Sequence, residues 1–219
     1  MTRAPIAEAW WPTDRQPSAG RARKHEVVDD LRRLMTAVAQ FDPEVADPAD
    51  LEALARAIRT ARDAAGALPD LRAGGASAAT TGDDNASLFE RSPLTGRANP
   101  LATPLVLTYD DDGVTRGSAS YDEKFEGPRG TVHGGFVIAA FDDLVGVAQG
   151  ASGFAGKTAR LAVDLRRPTP LHERIDYEGG VDRVDGRKIW AWGRSYCDGE
   201  LLAEAEGLLI GPRRDAAST

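Results

Sequence analysis

Residues Phe125–Gly150 read FEGPRGTVHGGFVIAAFDDLVGVAQG, and the fold turns on what this stretch becomes. Gly127-Pro128 and Gly130 are breakers, so the chain is expected to bend sharply there. After Gly135 the residues are Phe, Val, Ile, Ala, Ala, Phe, then Asp142 and Asp143, then Leu, Val, Gly, Val, Ala. A run apolar on nearly every side predicts a buried helix, over about residues 134–149. With two aspartates at its middle it is expected to be too short and too charged to span a bilayer.

Two features of this helix point to chemistry. Gly134 and Gly135 stand where the first turn begins, and a helix start leaves backbone N–H groups without partners. Glycines let a ligand oxygen approach those donors closely, and the positive end of the helix dipole stabilises a developing oxyanion. Asp142 or Asp143 then sits inside an apolar stretch, where a carboxylate is costly unless it is paired, solvated by a cleft, or used.

Spacing adds a constraint. Gly135 and Asp142 are seven residues apart, so both lie on one helix face, about 10 Å apart along the axis. Groups acting on one carbonyl carbon need contacts of about 3 Å. One helix in one chain therefore cannot supply donor and carboxylate to the same atom. Two such helices packed antiparallel about a two-fold axis can, so an active-site reading carries an obligate dimer with it.

Working outward, residues 105–111 and 114–121 read as strands around Asp111-Asp112-Gly113, a hairpin signal. Four more strands are expected after the helix, at about 157–166, 172–183, 187–198 and 201–210, with Asp185-Gly186 and Asp198-Gly199 at the last two turns. The order β, β, α, β, β, β, β predicts an antiparallel sheet with one helix covering one face, an α+β fold. In the strand begun by Thr158, strict alternation puts Thr158, Asp164 and Arg166 on one face. It puts Ala159, Leu161, Val163 and Leu165 on the other, toward the helix.

Towards the N-terminus, residues 1–23 are expected as a tail, with Trp10-Trp11 its one bulky pair. Residues 24–72 form a two-helix extension. Val27, Val28, Leu31, Leu34, Met35 and Val38 make the first stripe; Asp47 caps a second helix with Pro48 in its first turn and Leu51, Leu54, Ile58 and Ala61 on one face. These stripes pack on their own subunit or on each other, or else across a dimer or as a lid. Residues 73–87 are a small-residue linker, 88–211 the main domain and 212–219 a C-terminal tail. The domain opens with an irregular loop anchored by Leu88, Phe89, Leu94 and Leu101.

The pattern His133-Gly134-Gly135, six residues, then Asp142 resembles the PaaI-like acyl-CoA thioesterases of the hotdog-fold superfamily. Thr158–Leu171 (TARLAVDLRRPTPL) is similar to that family's Thr-led strand ending in an Arg-Pro turn. Val184–Lys188 (VDGRK) and Ala203–Ile210 (AEAEGLLI) are similar to its last two strands. The resemblance covers roughly the C-terminal half. It implies a hotdog fold, an antiparallel sheet wrapped around one central helix, here with an N-terminal helical extension. It implies hydrolysis of acyl-CoA thioesters to free acid and CoA, with no cofactor and no metal, by a homodimer or a dimer of dimers.

Residue by residue, the resemblance selects Asp142 over Asp143 as general base or nucleophile. Gly134 and Gly135 become oxyanion donors, His133 a thioester contact or a brace for the turn, and Thr158 an aid in holding water or the carboxylate. Asp164, Arg166, Arg167, Arg187 and Lys188 become the substrate-binding set, because arginines suit the phosphates of coenzyme A. The competing readings are a helix aspartate bonded to a neighbouring strand, a turn that needs glycine, a threonine present for strand propensity, and solvated hairpin ends. Some PaaI-type enzymes carry an Asn about 19 residues before the His; Val114 stands there, which puts a phenylacetyl substrate in doubt. Two rival functions remain: an acyl-CoA-binding or sensing protein without turnover, and a hotdog enoyl-CoA hydratase.

Composition bounds the rest. The 219 residues suggest one domain with an appendage, and the net charge of −7 argues against nonspecific nucleic-acid or anionic-membrane binding. One cysteine, Cys197, allows no intramolecular disulfide and no cysteine-based zinc site; with no secretory signal read at the start, a cytoplasmic location is expected. No HExxH, P-loop, GxGxxG or GxSxG appears. His25 and His172 have no partner pattern and are read as surface residues. Acyl chain length and pathway do not follow from these residues.

Overall fold

Asp198 and Gly199 both adopt positive φ, 49° and 80°. That is the backbone a two-residue hairpin turn requires, and it joins two of the longest strands in the molecule. The computed structural model describes residues 18–69, 91–110, 112–153 and 156–211. Trp10-Trp11, Leu88, Phe89, the linker 73–87 and the tail 212–219 lie outside these.

Helices α1 (Ala19–Gln40) and α2 (Pro48–Gly66) come first. Strands β1 (Val106–Tyr109) and β2 (Thr115–Ala119) follow, then a short 3-10 turn (Glu123–Phe125) and helix α3 (Gly134–Ala148). Strands β3 (Lys157–Leu165), β4 (Ile175–Asp185), β5 (Lys188–Cys197) and β6 (Glu200–Ile210) complete the order. The six strands form one antiparallel sheet in the order β1-β2-β4-β5-β6-β3, with α3 against its inner face. This is the hotdog arrangement, and every expected strand is present within a few residues of its expected ends.

Close packing of α3 depends on small residues beneath it. Gly179 on β4 faces Gly193 on β5, which faces Ala205 on β6. A Cβ at Gly193 would sit 2.9 Å from both Leu144 Cδ2 and Phe141 Cδ1, and one at Gly207 would sit 3.1 Å from Val145 Cγ2. Val137, Ala140, Phe141, Leu144, Val145 and Ala148 are buried against that floor. Tyr121 and Tyr177 share the core, their hydroxyls 2.9 Å apart, and burial pushes the Tyr121 phenol up to about 12.

With the 3-10 turn that continues it (Gln149–Ser152), the α3 segment spans 19 residues, Gly134–Ser152. By length and composition alone that is enough to cross a membrane, so the expectation that it is too short does not hold. Its position in the fold is that of a core helix, packed along the sheet.

The N-terminal helices also depart from expectation. Helix α1 starts at Ala19, because Ser18 Oγ accepts the Arg21 N–H at 3.3 Å as an N-cap. His25, read as a surface residue, is buried with Val28 where α1 meets the body. Val27, Leu31 and Val38 of the expected stripe are exposed. Arg32 does the docking instead, donating to the carbonyls of Gly96 (3.0 Å) and Asn99 (2.7 Å). Thr36 donates to Asp122 at 2.8 Å and Lys124 reaches Thr36 at 3.1 Å, so α1 is tied to the turn just ahead of the Phe125 loop. Helix α2 begins as expected, with Asp47 capping Ala49 at 2.7 Å and Pro48 in the first turn, but it buries no residue. In the loop before β1, Leu101 is exposed rather than an anchor. Thr103 holds that loop, its hydroxyl donating to the Leu94 carbonyl at 2.6 Å.

Candidate functional site

The segment before α3 folds back on itself and fixes the helix start. Glu126 bridges to Val132, the Gly127 N–H donates to the Thr131 carbonyl at 2.9 Å, and the His133 N–H donates to the Phe125 carbonyl at 2.8 Å. The Val132 N–H reaches the Thr169 carbonyl at 2.8 Å, which ties this loop to the segment after β3. A Cβ at Gly127 would lie 2.7 Å from His133 Cα, so only glycine lets the two backbones approach this closely.

His133 is the N-cap of α3. Its Nδ1 accepts the Gly135 N–H at 3.0 Å, which assigns the ring proton to Nε2 in the neutral imidazole and leaves that N–H pointing away from the cap. The two glycine amides are therefore not equivalent. Gly135 N–H is occupied by the imidazole, whereas Gly134 N–H has no acceptor among the described residues. Leu165 Cδ1 would be 3.1 Å from a Cβ at Gly134, which brings the end of β3 beside the helix start.

One side of this helix is more open than the rest. Gly135 and Ile138 are exposed and Asp142 is half-buried, at steps of three and four residues along one side. Asp143 points elsewhere. Its Oδ2 accepts from Thr95 Oγ1 at 2.7 Å, and burial, opposed by that hydrogen bond and reinforced by the Asp142 charge, pushes its carboxyl above the usual carboxylate range. Rotation about the helix axis thus gives the adjacent aspartates different environments, one open and one turned onto the loop at residues 91–105.

Strand β3 is the edge of the sheet on the same side. Lys157–Arg160, Asp164 and Leu165 are exposed, and Leu161–Val163 are half-buried. Thr158 is not on the face of Asp164. A bulge between Thr158 and Arg160 puts Thr158 opposite Leu209, whose side chain is buried beneath α3, while Asp164 pairs with Glu204 on the outer face. Thr158 therefore sits on the helix side with Leu161 and Val163.

The cations divide into two groups. Arg166 donates to Glu204 (2.6 Å from Nε) and Arg167 pairs with Glu200 at 3.0 Å, both just past the end of β3 near Gly134. Arg187 donates to the Gly211 carbonyl at 2.9 Å, and Lys188 pairs across the sheet with Ile210, which in turn faces Lys157 at the start of β3. The two groups lie at opposite ends of β6, about 25 Å apart at strand rise. A single chain does not bring them together. Two pairs of sequence-chosen residues are thus separated within one chain: Gly134 from Asp142, and Arg166 and Arg167 from Arg187 and Lys188.

The tryptophans of β5 are not among the residues chosen from sequence. Trp190 and Trp192 alternate with Ile189 and Ala191, and that two-residue period placed both indoles on one face. The structure puts them on the outer face, with the Arg183 guanidinium 4.1 Å from the Trp190 ring centre and that of Arg194 5.2 Å from Trp192. His172, read as a surface residue, is exposed, with Nε2 3.0 Å from Glu123 Oε1.

No protein-family model matches the chain. Over 89 residues it is 36% identical to acyl-coenzyme A thioesterase THEM4 of Xenopus laevis, covering 39% of this chain and 39% of that protein. Over 96 residues it is 31% identical to THEM4 of Bos taurus, covering 43% and 39%. The chain thus matches about two-fifths of the length of these curated relatives. The crystal structure of protein RHA08564, a thioesterase superfamily protein, superposes with a TM-score of 0.72 at 32% identity, covering 85% of this chain and 94% of that one. That coverage exceeds residues 88–211, so the likeness reaches beyond the sheet and its helix into the N-terminal segment.

Proposed function

The chain belongs to the thioesterase superfamily, and from that premise we propose that it hydrolyses acyl-CoA thioesters to a free acid and CoA in a centre shared between two chains. The observation that carries the reading is the open stripe on α3. A helix that buries six of its residues leaves Gly135 and Ile138 exposed and Asp142 half-buried on one side, beside a strand that is an edge of the sheet among the described residues. Exposed Ile138 and Leu165 on that side are apolar surface that a second copy would remove from water. Edge strands left unpaired are sites of association.

Two chains joined antiparallel along β3 solve both separations at once. Asp142 of one chain then faces Gly134 and His133 of the other. Arg166 and Arg167 of one chain then approach Arg187 and Lys188 of the other, a cationic rim suited to the phosphates of coenzyme A.

In this centre the thioester carbonyl oxygen accepts from the free Gly134 N–H of one chain, supported by His133 Nε2–H. Asp142 of the other chain takes a proton from water as it adds to the carbonyl carbon, and the negative charge moves to the oxygen held at the helix start. Collapse of the tetrahedral intermediate re-forms the carbonyl, breaks the C–S bond and releases CoA thiolate, which takes up the proton. In the nucleophilic alternative Asp142 adds to the carbonyl carbon, the C–S bond breaks with loss of CoA thiolate to leave a mixed anhydride, and water then opens the anhydride to the free acid and Asp142. Thr158, on the helix side of β3, takes the role of holding the water in this reading. The imidazole holds Gly135 N–H, so Gly135 serves the site by positioning His133.

Release of thiol from a panel of acyl-CoA substrates tests the proposal. Hydrolysis of at least one, lost in Asp142→Ala with the fold intact by circular dichroism, is the expected result. No turnover with any chain length, or a fully active Asp142→Ala, overturns it. Saturable acyl-CoA binding without thiol release would assign the protein to binding instead.

A further inference from the structure

Helix α1 buries two of its residues, His25 and Val28, and its specific bonds to the body converge on the loop at residues 91–105. Arg32 Nη2 donates to the carbonyls of Gly96 (3.0 Å) and Asn99 (2.7 Å), while Asp29 Oδ1 accepts from Arg32 Nη1 at 3.3 Å. Arg97 of the loop reaches back to Asp29 at 3.9 Å. The loop that Arg32 grips is closed on itself. Ser92 Oγ accepts the Leu94 and Thr95 N–H groups. The Gly96 N–H donates to the Ser92 carbonyl at 3.1 Å, and the Thr103 N–H to the Leu94 carbonyl at 2.7 Å. Whatever fixes Gly96 therefore fixes Thr95, the residue before it.

From that loop Thr95 Oγ1 donates to Asp143 Oδ2 at 2.7 Å, beside Asp142 on α3. The Asp143 carboxyl is balanced between opposing influences. Burial pushes it up, the Thr95 hydroxyl pulls it down, the Asp142 charge pushes it up and the Ser92 hydroxyl pulls it down. The charge that acts on it thus comes from its own helix, and the loop packed against it contributes hydroxyl donors. Repulsion between neighbouring carboxylates is mutual. A charged Asp143 favours a proton arriving at Asp142, which is what a general base receives from water, and a neutral Asp143 withdraws that help. Hydroxyl donors favour the charged form, so the loop, with α1 behind it, stands as a control on the base.

We propose that α1 is a working part of the site: Arg32 fixes the loop, the loop holds Thr95 on Asp143, and Asp143 is a positioning residue that sets the charge beside Asp142. This rests on Asp142 being the base. Asp143 touches no substrate and acts through its neighbour. Rate then rises in two steps with pH. The first follows ionisation of the base, and the second, about threefold, follows ionisation of Asp143.

NMR titration of isotope-labelled aspartate carboxyls in the full chain tests it, with Asp143→Asn identifying the resonance. Thr95→Val removes the donor at nearly the same size and is expected to raise the Asp143 midpoint by about half a pH unit or more, while Thr95→Ser keeps the donor and the wild-type midpoint. Arg32→Met is expected to raise it in the same direction by releasing the loop. Arg33→Met removes the same charge from a side chain bonded to Asp30 within α1, and leaves the midpoint unchanged. If circular dichroism shows lost helix in Arg32→Met, Arg32→Lys replaces it, with a smaller rise. In thiol release, the second step vanishes in Asp143→Asn and moves to higher pH in Thr95→Val and Arg32→Met. Purely structural damage would lower the whole profile without moving the step. An unmoved midpoint in Thr95→Val or in the folded Arg32 variant overturns the proposal, as does an equal rise in Arg33→Met or a single-step wild-type profile. Shifted midpoints with no thiol release from any acyl-CoA overturn the catalytic reading and keep the coupling. Turnover with unmoved midpoints does the reverse.

Discussion

Helices α2 and α3 are close in length, 19 and 15 residues, and opposite in character. Helix α3 is apolar on nearly every side and buries six residues, yet leaves Gly135 and Ile138 exposed and Asp142 half-buried. Helix α2 is amphipathic, with Leu51, Leu54, Ile58 and Ala61 along one side, and it leaves that side partly in water with nothing buried. Openness means different things on the two. On an apolar helix an uncovered stripe is unusual, and it marks a surface that meets something. On an amphipathic helix whose other sides are charged, single aliphatic residues left partly in water are ordinary.

Substitutions along the two helices break or sharpen that contrast. The largest effect is expected at Asp142. Removing a general base costs about 10²–10⁴-fold, so Asp142→Asn should lower kcat/KM by about a thousandfold in a thiol-release assay with little change in stability. Next comes the floor beneath α3. Gly193→Val forces atoms into Leu144 and Phe141, and a loss of about 3 kcal/mol is expected in urea unfolding. Ile138→Glu puts a charge on the open stripe. A loss of about 2 kcal/mol in association, close to thirtyfold, should appear as a concentration-dependent fall in both mass and turnover.

Asp143→Asn comes fourth and acts through pH. Burial raises the Asp143 carboxyl above its unfolded value, so the stability it contributes is full at acid pH and is lost as pH rises through the folded value. Asparagine keeps an acceptor for Thr95 and cannot ionise. The variant is therefore expected to unfold at higher urea than wild type at neutral pH, with the gap closing below the ordinary carboxylate value of about 4. The smallest effect is expected on α2, where Ile58→Ala should change unfolding by less than about 0.5 kcal/mol. A cost like that at Gly193 would show that α2 is covered by another chain, and the contrast between the helices would dissolve.

Much of this was legible from local rules. The six strands, the Asp-Gly turns, the buried helix and the cap at Asp47 all follow from periodicity and turn chemistry acting over a few residues. What escaped needed a partner distant in sequence or an irregularity without a signature. The bulge at Thr158–Arg160 moves one side chain to the other face, and nothing in TAR announces it. Asp143 is distinguished from Asp142 by Thr95, 48 residues away, so helix periodicity separates the two aspartates without saying which is enclosed. His25 is buried because Arg32 and Thr36 fasten α1 to distant loops, contacts no stripe encodes. The cations that look like one cluster in order of sequence are divided by the length of an extended strand. The indoles on β5 were visible in IWAWGR, but only tertiary structure shows which face of the sheet α3 covers.

Residue 127 carries a consequence for how this protein's variants are to be interpreted. The backbone of His133 rests against Gly127 with no room for a methyl group, so that contact sets where the imidazole hangs. A mutational screen scored on turnover would rank position 127 beside the reacting groups, although no side chain placed there needs to reach the substrate. Its tolerance measures how finely the ring must be placed, and that quantity is one the reacting residues themselves cannot report.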